Sequence, residues 1–483
     1  MGCITPREMS SPAPSDTIVA PATAPGEGAI AVIRLSGPHS LEFADLLFRP
    51  HHPPLPSSAS PRSVLHGYVL ASPDGKVIDD ALLLVFRAPK SYTGEDSVEI
   101  QCHGGPQIVH DILDALFSVG ARLAEPGEFT KRAFLNGKMD LTQAEAVGDL
   151  IHARSDRAAR MAAAQLQDVL GERIGALYDE LLALSADTEA MLDFPDDELP
   201  QEVPSDIRAR STALSMRLSA LLATWNEGQI LRDGLQLVIA GAPNTGKSTL
   251  LNLLAGRNRA IVSPYPGTTR DLIEVETTFH GYPVRIVDTA GLRQAPDPVE
   301  KEGIRRTRQA LETADLTICL VDASQSLSSE EIDFLKSQNH KKTIVLANKT
   351  DLGDQSTSFC VPPHEFWPIS LKNLTSSDGV IQKILQKTGL DENTTKNSSE
   401  NRRFSSENDS GNVAVSSRHK MALHIALQEV KYAENKLESN REEAFLPAAM
   451  HFRAAAEQMA SILGKNWDED TLNLIFSRFC VGK

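Results

Sequence analysis

The sequence predicts a multidomain protein of mixed α/β and α class, with a mainly parallel α/β module inserted into a helical domain that is split along the chain. Three observations predict it. Strand-like apolar runs alternate with helical patterns between Leu235 and Leu385. Helical stretches lie on both sides of that module, and a phosphate-loop pattern stands at its first strand-to-helix turn. At 483 residues the chain also exceeds one ordinary core.

Residues 1–15 form a Ser/Pro-containing extension. Over residues 16–134, short apolar runs alternate with Gly/Pro turns; Ala29–Leu35, Ala81–Phe86 and Ser97–Gln101 read as strands among one or two helices. Residues 135–228 are helical in texture. The stretch Asp140 to Phe194 lacks Pro and reads as two helices, opened by a Thr142/Glu145 capping box and closed by Pro195. A further helix is expected over Ile207 to Trp225. Within 229–390, strands are predicted at Leu235–Ala240, Val284–Val287, Leu316–Val321 and Thr343–Ala347. Residues 391–417, rich in Ser, Asn and Glu, read as a flexible linker, and 418–483 are helical again.

Hydrophobic content of 41% beside 23% charged residues is that of a globular protein. The apolar runs are too short for a membrane span, and the first residues lack the apolar core of a secretion signal, so a cytoplasmic location is expected. Five scattered cysteines with no CxxC pair fit a reducing compartment rather than a zinc or disulfide framework. At a net charge of −16 the chain has no global attraction for nucleic acid, so an RNA partner would need a local basic patch or a second protein.

Gly241-Ala-Pro-Asn-Thr-Gly-Lys-Ser248 matches GxxxxGK[ST] between a predicted strand and a predicted helix. In that context the glycines let backbone N–H groups surround phosphate oxygens, Lys247 offsets β/γ charge and Ser248 ligates Mg²⁺. Asn348-Lys-Thr-Asp351 follows about 100 residues later. A carboxylate there accepts from the guanine N1–H and 2-amino group, which adenine lacks, so GTP is expected rather than ATP. Asp288-Thr-Ala-Gly291 would approach Mg²⁺ and the γ-phosphate, Thr269 in Gly267–Asp271 would be a second Mg²⁺ ligand, and Ser370-Leu371-Lys372 would complete the base pocket. Leu292 stands where Ras-like proteins carry a water-orienting Gln, which leaves Asp297, Glu300 and Glu302 as nearby acidic candidates.

Further blocks are more specific. They are Asp16–Ala20, Pro25-Gly26, Ile33–Gly37, Tyr92–Asp96, His103–Pro106, Pro126–Asn136 and Phe479–Lys483. With them the chain resembles, over nearly its whole length, the MnmE (TrmE) family of bacterial tRNA-modification GTPases, of the TrmE-Era-EngA-YihA-Septin-like superfamily. The resemblance implies an N-terminal folate-binding and dimerising domain (16–134), a split helical domain (135–228 and 418–483) and an inserted G domain (229–390). It implies a homodimer that acts with the flavoprotein MnmG on C5 of the wobble uridine of certain tRNAs. There a one-carbon unit from 5-formyl- or 5,10-methylene-tetrahydrofolate helps build a carboxymethylaminomethyl or aminomethyl group, and GTP hydrolysis drives G-domain dimerisation.

The resemblance also distributes roles. GTP would contact Asn244, Thr245, Gly246, Lys247, Ser248, Thr249, Ser263, Thr268, Thr269, Asp288, Thr289, Ala290, Gly291, Asn348, Lys349, Asp351, Ser370, Leu371 and Lys372. K⁺ would be held by Asn244, Ser263, Tyr265 and Thr268, its charge standing in for an arginine finger. The water-orienting glutamate falls on Glu300, and the folate site on Arg34, Glu99, Lys138 and Lys483. Cys480 has two readings, a reactive thiol or a small buried residue, whereas Cys102 and Cys319 are expected in the core. The chain departs from the family pattern at Val481, at Glu27, in the length of the 391–417 stretch and in the extension before Asp16. Two other classes share some features: a ribosome-assembly GTP switch, and a folate-dependent one-carbon enzyme in which GTP is only regulatory.

Overall fold

The computed structural model describes residues 16–193, 203–256, 274–288, 309–353, 359, 361–390, 415–438 and 442–482. The chain divides into two compact units. One comprises residues 1–148, 165–218 and 422–483, the other 149–164 and 219–421.

The first unit opens with β1 (Ile18–Pro21), β2 (Gly28–Ser36), α1 (Ser40–Leu47), β3 (Phe48–Pro50), β4 (Val64–Leu70), β5 (Val77–Phe86), β6 (Ser97–Gly104), α2 (Pro106–Ser118), β7 (Arg122–Leu123) and α3 (Glu128–Leu135). The strands form one sheet in the order β3-β4-β5-β6-β2-β1-β7, antiparallel except for the β1–β7 pair. Alternation along β5 sends Asp79, Ala81, Leu83 and Val85 inward, where the apolar three join Ile33, Leu35, Val98 and Ile100 under α1 and α2. Three helices stand where one or two were expected, because α3 lies in the run Pro126–Asn136, which carries no long apolar period.

The helical part differs from expectation in two respects. Three helices, α4 (Leu141–His152), α5 (Asp156–Leu166) and α6 (Val169–Asp193), replace the expected two. The reciprocal cap of α4 is made by Asp140 and Gln143, not by Thr142 and Glu145: Asp140 Oδ1 accepts from Gln143 N (2.7 Å) and Gln143 Oε1 accepts from Asp140 N (3.0 Å). The Thr142 hydroxyl instead donates to Asp140 Oδ1. The helix expected at Ile207 to Trp225 is α7 (Val203–Ala223), followed by α8 (Trp225–Asp233). After α12 (Ser417–Leu437) come α13 (Phe445–Leu463) and α14 (Glu469–Phe476). Ala448, Ala449, Ala455, Ala456 and Ala460 of α13 are buried, and these small side chains let α13 pack closely along α6, where Ser185 Oγ donates to Ala449 O. Val415 and Ser416 at the end of the expected linker are buried; residues 391–414 lie outside the described residues, as do 1–15 and Pro195.

The second unit is built on a six-stranded sheet of β8 (Leu235–Gly241), β9 (Glu274–Phe279), β10 (Tyr282–Asp288), β11 (Leu316–Asp322), β12 (Thr343–Asn348) and β13 (Phe366–Pro368). The order is β13-β12-β11-β8-β10-β9, parallel except for β9. The inner strands are buried along their whole length, as a sheet covered on both faces requires. Its helices include α9 (Lys247–Ala255), α10 (Ser329–Ser337) and α11 (Asp378–Thr388). On α5, Ala158 and Met161 join this unit's core. Arg157 pairs with Glu227 and lies 4.4 Å from the Tyr282 ring centre, while Arg232 holds Asp149 through two contacts of 2.7 and 2.5 Å.

Five charged side chains tie the first unit's motif blocks together. Arg132 is 1% exposed and donates to Asp16 Oδ1 (2.8 Å), Glu128 Oε1 (2.9 Å) and Glu95 Oε1 (3.3 Å), as well as to the Asp16 carbonyl. Arg122 engages Asp16 and Glu128 from the other side. Glu95 also accepts from Ser36 Oγ at 2.7 Å. Burial pushes the Asp16 and Glu128 carboxyls up, but the hydrogen bonds from Arg122 and Arg132 outweigh it and hold both below their ordinary values. Removing one partner strands the others. Arg132→Ala is expected to cost about 3–5 kcal/mol, read from the denaturant midpoint of this unit's unfolding transition; a loss under about 1 kcal/mol, the scale of a surface pair, would refute the buried network.

At the start of α6, burial first, and then Asp140 and Glu172, push the Asp168 carboxyl up to about 6. A group whose folded pKa lies above its unfolded value of about 3.9 stabilises fully only below that value, and its contribution is lost as pH rises through 6. Asp168→Asn should therefore stabilise the protein by about 1 kcal/mol at pH 8, a figure reduced for solvent screening, and by nothing near pH 4. Denaturation curves at the two pH values check this, and an equal gain at both would contradict it.

Candidate functional site

The phosphate-loop pattern forms the turn between β8 and α9. Gly241 has φ +149° and Gly246 φ +105°; a Cβ on Gly246 would lie 2.5 Å from Asn348 Nδ2 and one on Gly241 2.3 Å from Leu320 O. Only glycine fits either position. Asn244 also has positive φ, at 62°. The loop meets the N-terminus of α9, where backbone N–H groups can receive an anion. Lys247 is largely buried, and its ammonium donates to the loop's own carbonyls, Gly241 O (3.0 Å) and Ala242 O (2.6 Å). Thr245 Oγ1 donates to Ala242 O. A cavity of about 750 Å³ borders the loop, lined also by Leu311, Val321, Glu331 and Phe334. Asp288, buried at the end of β10, stands in register with Ile239 of β8.

The Asn348–Asp351 turn follows β12, two strands away from β8. Asn348 is buried and spans two loops: Nδ2 donates to Thr245 O (2.8 Å) and Oδ1 accepts from Leu371 N (3.0 Å). The structure thus brings Thr245, Gly246, Asn348 and Leu371 together. Asp351 is exposed, its Oδ1 accepting from Ser370 Oγ at 2.7 Å, so one carboxylate edge is oriented by the Ser370–Lys372 loop. Lys349 (φ 68°) pairs with Asp322 at 2.7 Å. Burial raises the Asp322 carboxyl, but Lys349 and Ser324 together bring it below its ordinary value. Sequence reasoning missed Asp322; its only signal was its place at the end of the strand beside β12. Ser248 and Thr249 lie in the first turn of α9, directly after the phosphate loop, and Lys372 lies in the Ser370–Lys372 loop.

Arg34 and Glu99 face each other across β2 and β6, with Arg34 Nε 2.9 Å from Glu99 Oε1. The guanidinium lies 5.2 Å from the Tyr92 ring centre and 5.7 Å from that of Phe129, and its Nη1 is buried with no hydrogen-bond partner. Such an orphaned donor fits a site that receives an anionic or carbonyl acceptor. Lys138 does not join this pair; its ammonium donates to Pro89 O at 2.8 Å. The C-terminal motif reaches the same sheet. Gly482 (φ 98°) is so close to β1 that a Cβ would lie 2.0 Å from Pro21 O, and the Gly127 amide donates to Cys480 O at 3.4 Å. Pro21 stands opposite Ile33, next to Arg34. Cys480 is exposed, which removes its reading as a small buried residue. Cys102 and Cys319 are in the core, where burial pushes their thiols up to about 11 and about 12.

Two family models match: "MnmE helical domain" over residues 141–480 and "GTP-binding protein TrmE N-terminus" over 17–138. A protein called tRNA modification GTPase MnmE from Syntrophus aciditrophicus is 40% identical over 97% of this chain and 99% of its own length. Proteins of the same name from Syntrophotalea carbinolica and Clostridioides difficile are each 39% identical at the same coverage. This chain belongs to the MnmE family. Among solved structures, Era from Aquifex aeolicus bound to GDP and aluminium fluoride is 27% identical over 31% of this chain and 56% of that one, at a TM-score of 0.26 too low to add to the fold as described.

Several positions that the sequence singled out, by motif or by the MnmE resemblance, lie outside the described residues. They are Ser263, Tyr265, Thr268 and Thr269; Thr289, Ala290, Gly291, Asp297, Glu300 and Glu302; and Lys483. Among the described residues, no helix is long and apolar enough to cross a membrane.

The Asn348 bridge generates a prediction. Asn348→Ala leaves Thr245 O and Leu371 N–H without partners in a buried place, at about 1–3 kcal/mol each. Hydrogen exchange at the Leu371 amide should accelerate about 10- to 100-fold; unchanged protection would show that the bridge does not hold the two loops.

Proposed function

We propose that this chain is a K⁺-dependent GTPase that works as a homodimer with the flavoprotein MnmG in the cytoplasm. Together they add a carboxymethylaminomethyl or aminomethyl group to C5 of the wobble uridine of certain tRNAs. The family membership carries the GTP-hydrolysing, tRNA-modifying core of this reading. The finer points rest on the residues that follow.

In the nucleotide site, Lys247 would exchange Gly241 O and Ala242 O for β/γ-phosphate oxygens, and the loop N–H groups would take up the rest of the charge. Asp351, oriented by Ser370, would accept from the guanine edge, while Asn348 keeps the phosphate and base loops at fixed separation. Ser248 and Thr269 would hold Mg²⁺, which neutralises phosphate charge when bound; Asp288 would support it from β10. Asn244, whose left-handed backbone turns it out of the helical path, would hold K⁺ with Ser263, Tyr265 and Thr268. Glu300 would orient water in place of the missing Gln.

Arg34, with its unpartnered Nη1, Glu99 across the strand pair, and the tail carrying Lys483 would bind the tetrahydrofolate derivative that supplies the one-carbon unit. Lys138 would join only by leaving Pro89 O. Cys480, exposed beside Gly127, is available for chemistry there.

The test is a nucleoside digest of total tRNA from cells carrying the native chain or a deletion of it, together with GTP binding and turnover measured on the purified native chain and Glu300→Ala. Deletion should abolish 5-aminomethyl-type wobble uridines, and the variant should bind GTP as tightly as the native chain while losing most turnover. An unchanged nucleoside profile on deletion would overturn the tRNA role and favour a ribosome-assembly switch; full turnover in Glu300→Ala, or equal rates in Na⁺ and K⁺, would overturn the hydrolytic assignment.

A further inference from the structure

The far edge of the seven-stranded sheet carries a side-chain cluster that neither the nucleotide site nor the Arg34 surface uses. His51 directly follows β3, and its amide donates to His66 O at 2.8 Å, extending the β3–β4 ladder. In the next pair Tyr68 stands opposite Asp80. Opposed residues and residues two apart share a face, so His51, His66 and Asp80 project together on the solvent side of three adjacent strands. Both imidazoles present Nε2 to one oxygen: His51 Nε2 lies 3.1 Å and His66 Nε2 3.0 Å from Asp80 Oδ1. The rings meet edge-on with centres 4.5 Å apart, and Tyr68 packs edge-on against His51 at the same distance, which fixes the ring's orientation.

We propose that His51, His66 and Asp80 bind a first-row divalent transition ion, with Zn²⁺ as the representative. The donor set is chemically apt, since imidazole nitrogen with a carboxylate suits Zn, Cu, Ni or Fe and is a poor set for Mg²⁺ or Ca²⁺. The spacing fits as well. Bonds of about 2.0–2.2 Å meeting at angles between octahedral and tetrahedral put ligand atoms about 3.0–3.4 Å apart. The two nitrogen-to-oxygen separations are of that size, and the three ligand atoms all lie within 4.8 Å of one another. Among the described residues this is the one such group. The exposed side chains leave the remaining coordination positions to water. By joining β3, β4 and β5, the ion would staple the sheet's edge strand, a place where short β3 has pairing on one side alone.

The ordinary alternative is a pair of surface His–Asp contacts, and the chain carries a control for it: His110 Nδ1 lies 3.1 Å from Asp114 Oδ2 on α2, with no second histidine. The experiment is calorimetric titration of the chelator-treated, full-length protein with ZnCl₂ in saturating Mg²⁺. The expected result is one Zn²⁺ per chain with micromolar affinity. H51A, H66A and D80N should each weaken it about 10-fold or more, with circular dichroism unchanged because all three side chains are exposed, and H110A should leave it as in the native chain. No uptake below millimolar Zn²⁺ would overturn the proposal. So would uptake that survives H66A and D80N, or that falls equally with H110A.

Discussion

The first unit depends on keeping Arg132 charged inside the protein. Its guanidinium has almost no access to water, and three carboxylates and a carbonyl replace the hydration that Nη1 and Nη2 lose, while Nε is buried without a partner. Those partners come from different stretches of chain: Asp16 before β1, Glu95 before β6, and Glu128 one turn earlier on α3. The network therefore fixes how α3 lies against the sheet. That in turn puts Phe129 under Arg34 and Gly127 beside Cys480. The blocks that looked most distinctive in the sequence are largely this network and what it positions.

The second unit solves a different problem by a related device. Its phosphate and base loops sit at the ends of β8 and β12, separated by β11, and the neutral amide of Asn348 links them. A charged side chain would have demanded a counter-charge where Asn348 packs so closely on Gly246 that no Cβ fits between them. The lysine of the loop satisfies its own ammonium on nearby carbonyls, so the site keeps its donors paired while waiting for a substrate.

Much of this was legible in the sequence because it is local. The four inner strands of the module announce themselves as short apolar runs, and GxxxxGK[ST] followed by Asn348–Asp351 specifies a site by spacing alone. What was not legible depends on pairing partners far along the chain. The cap of α4 was assigned two residues too late because Thr142 and Glu145 satisfy the same pattern as Asp140 and Gln143; the register of the turn decides between them. The aromatic walls around Arg34 require the folding of α3 onto the sheet. His51, His66 and Asp80 share a face only through the register of two antiparallel pairs, which no spacing rule reveals. Cys480 was undecidable from sequence because an isolated cysteine near a chain end has no periodicity to place it.

The contact between Gly482 and Pro21 has a consequence for biosynthesis. The sheet that contains β1 is translated before the second unit, yet the surface covering Pro21 is supplied by residues translated after it. The first unit must therefore wait, partly open, through translation of everything between, while most of the second unit, contiguous from 219 to 421, is available to close earlier. A chain interrupted before residue 422 leaves the first unit, rather than the nucleotide module, without part of its own packing.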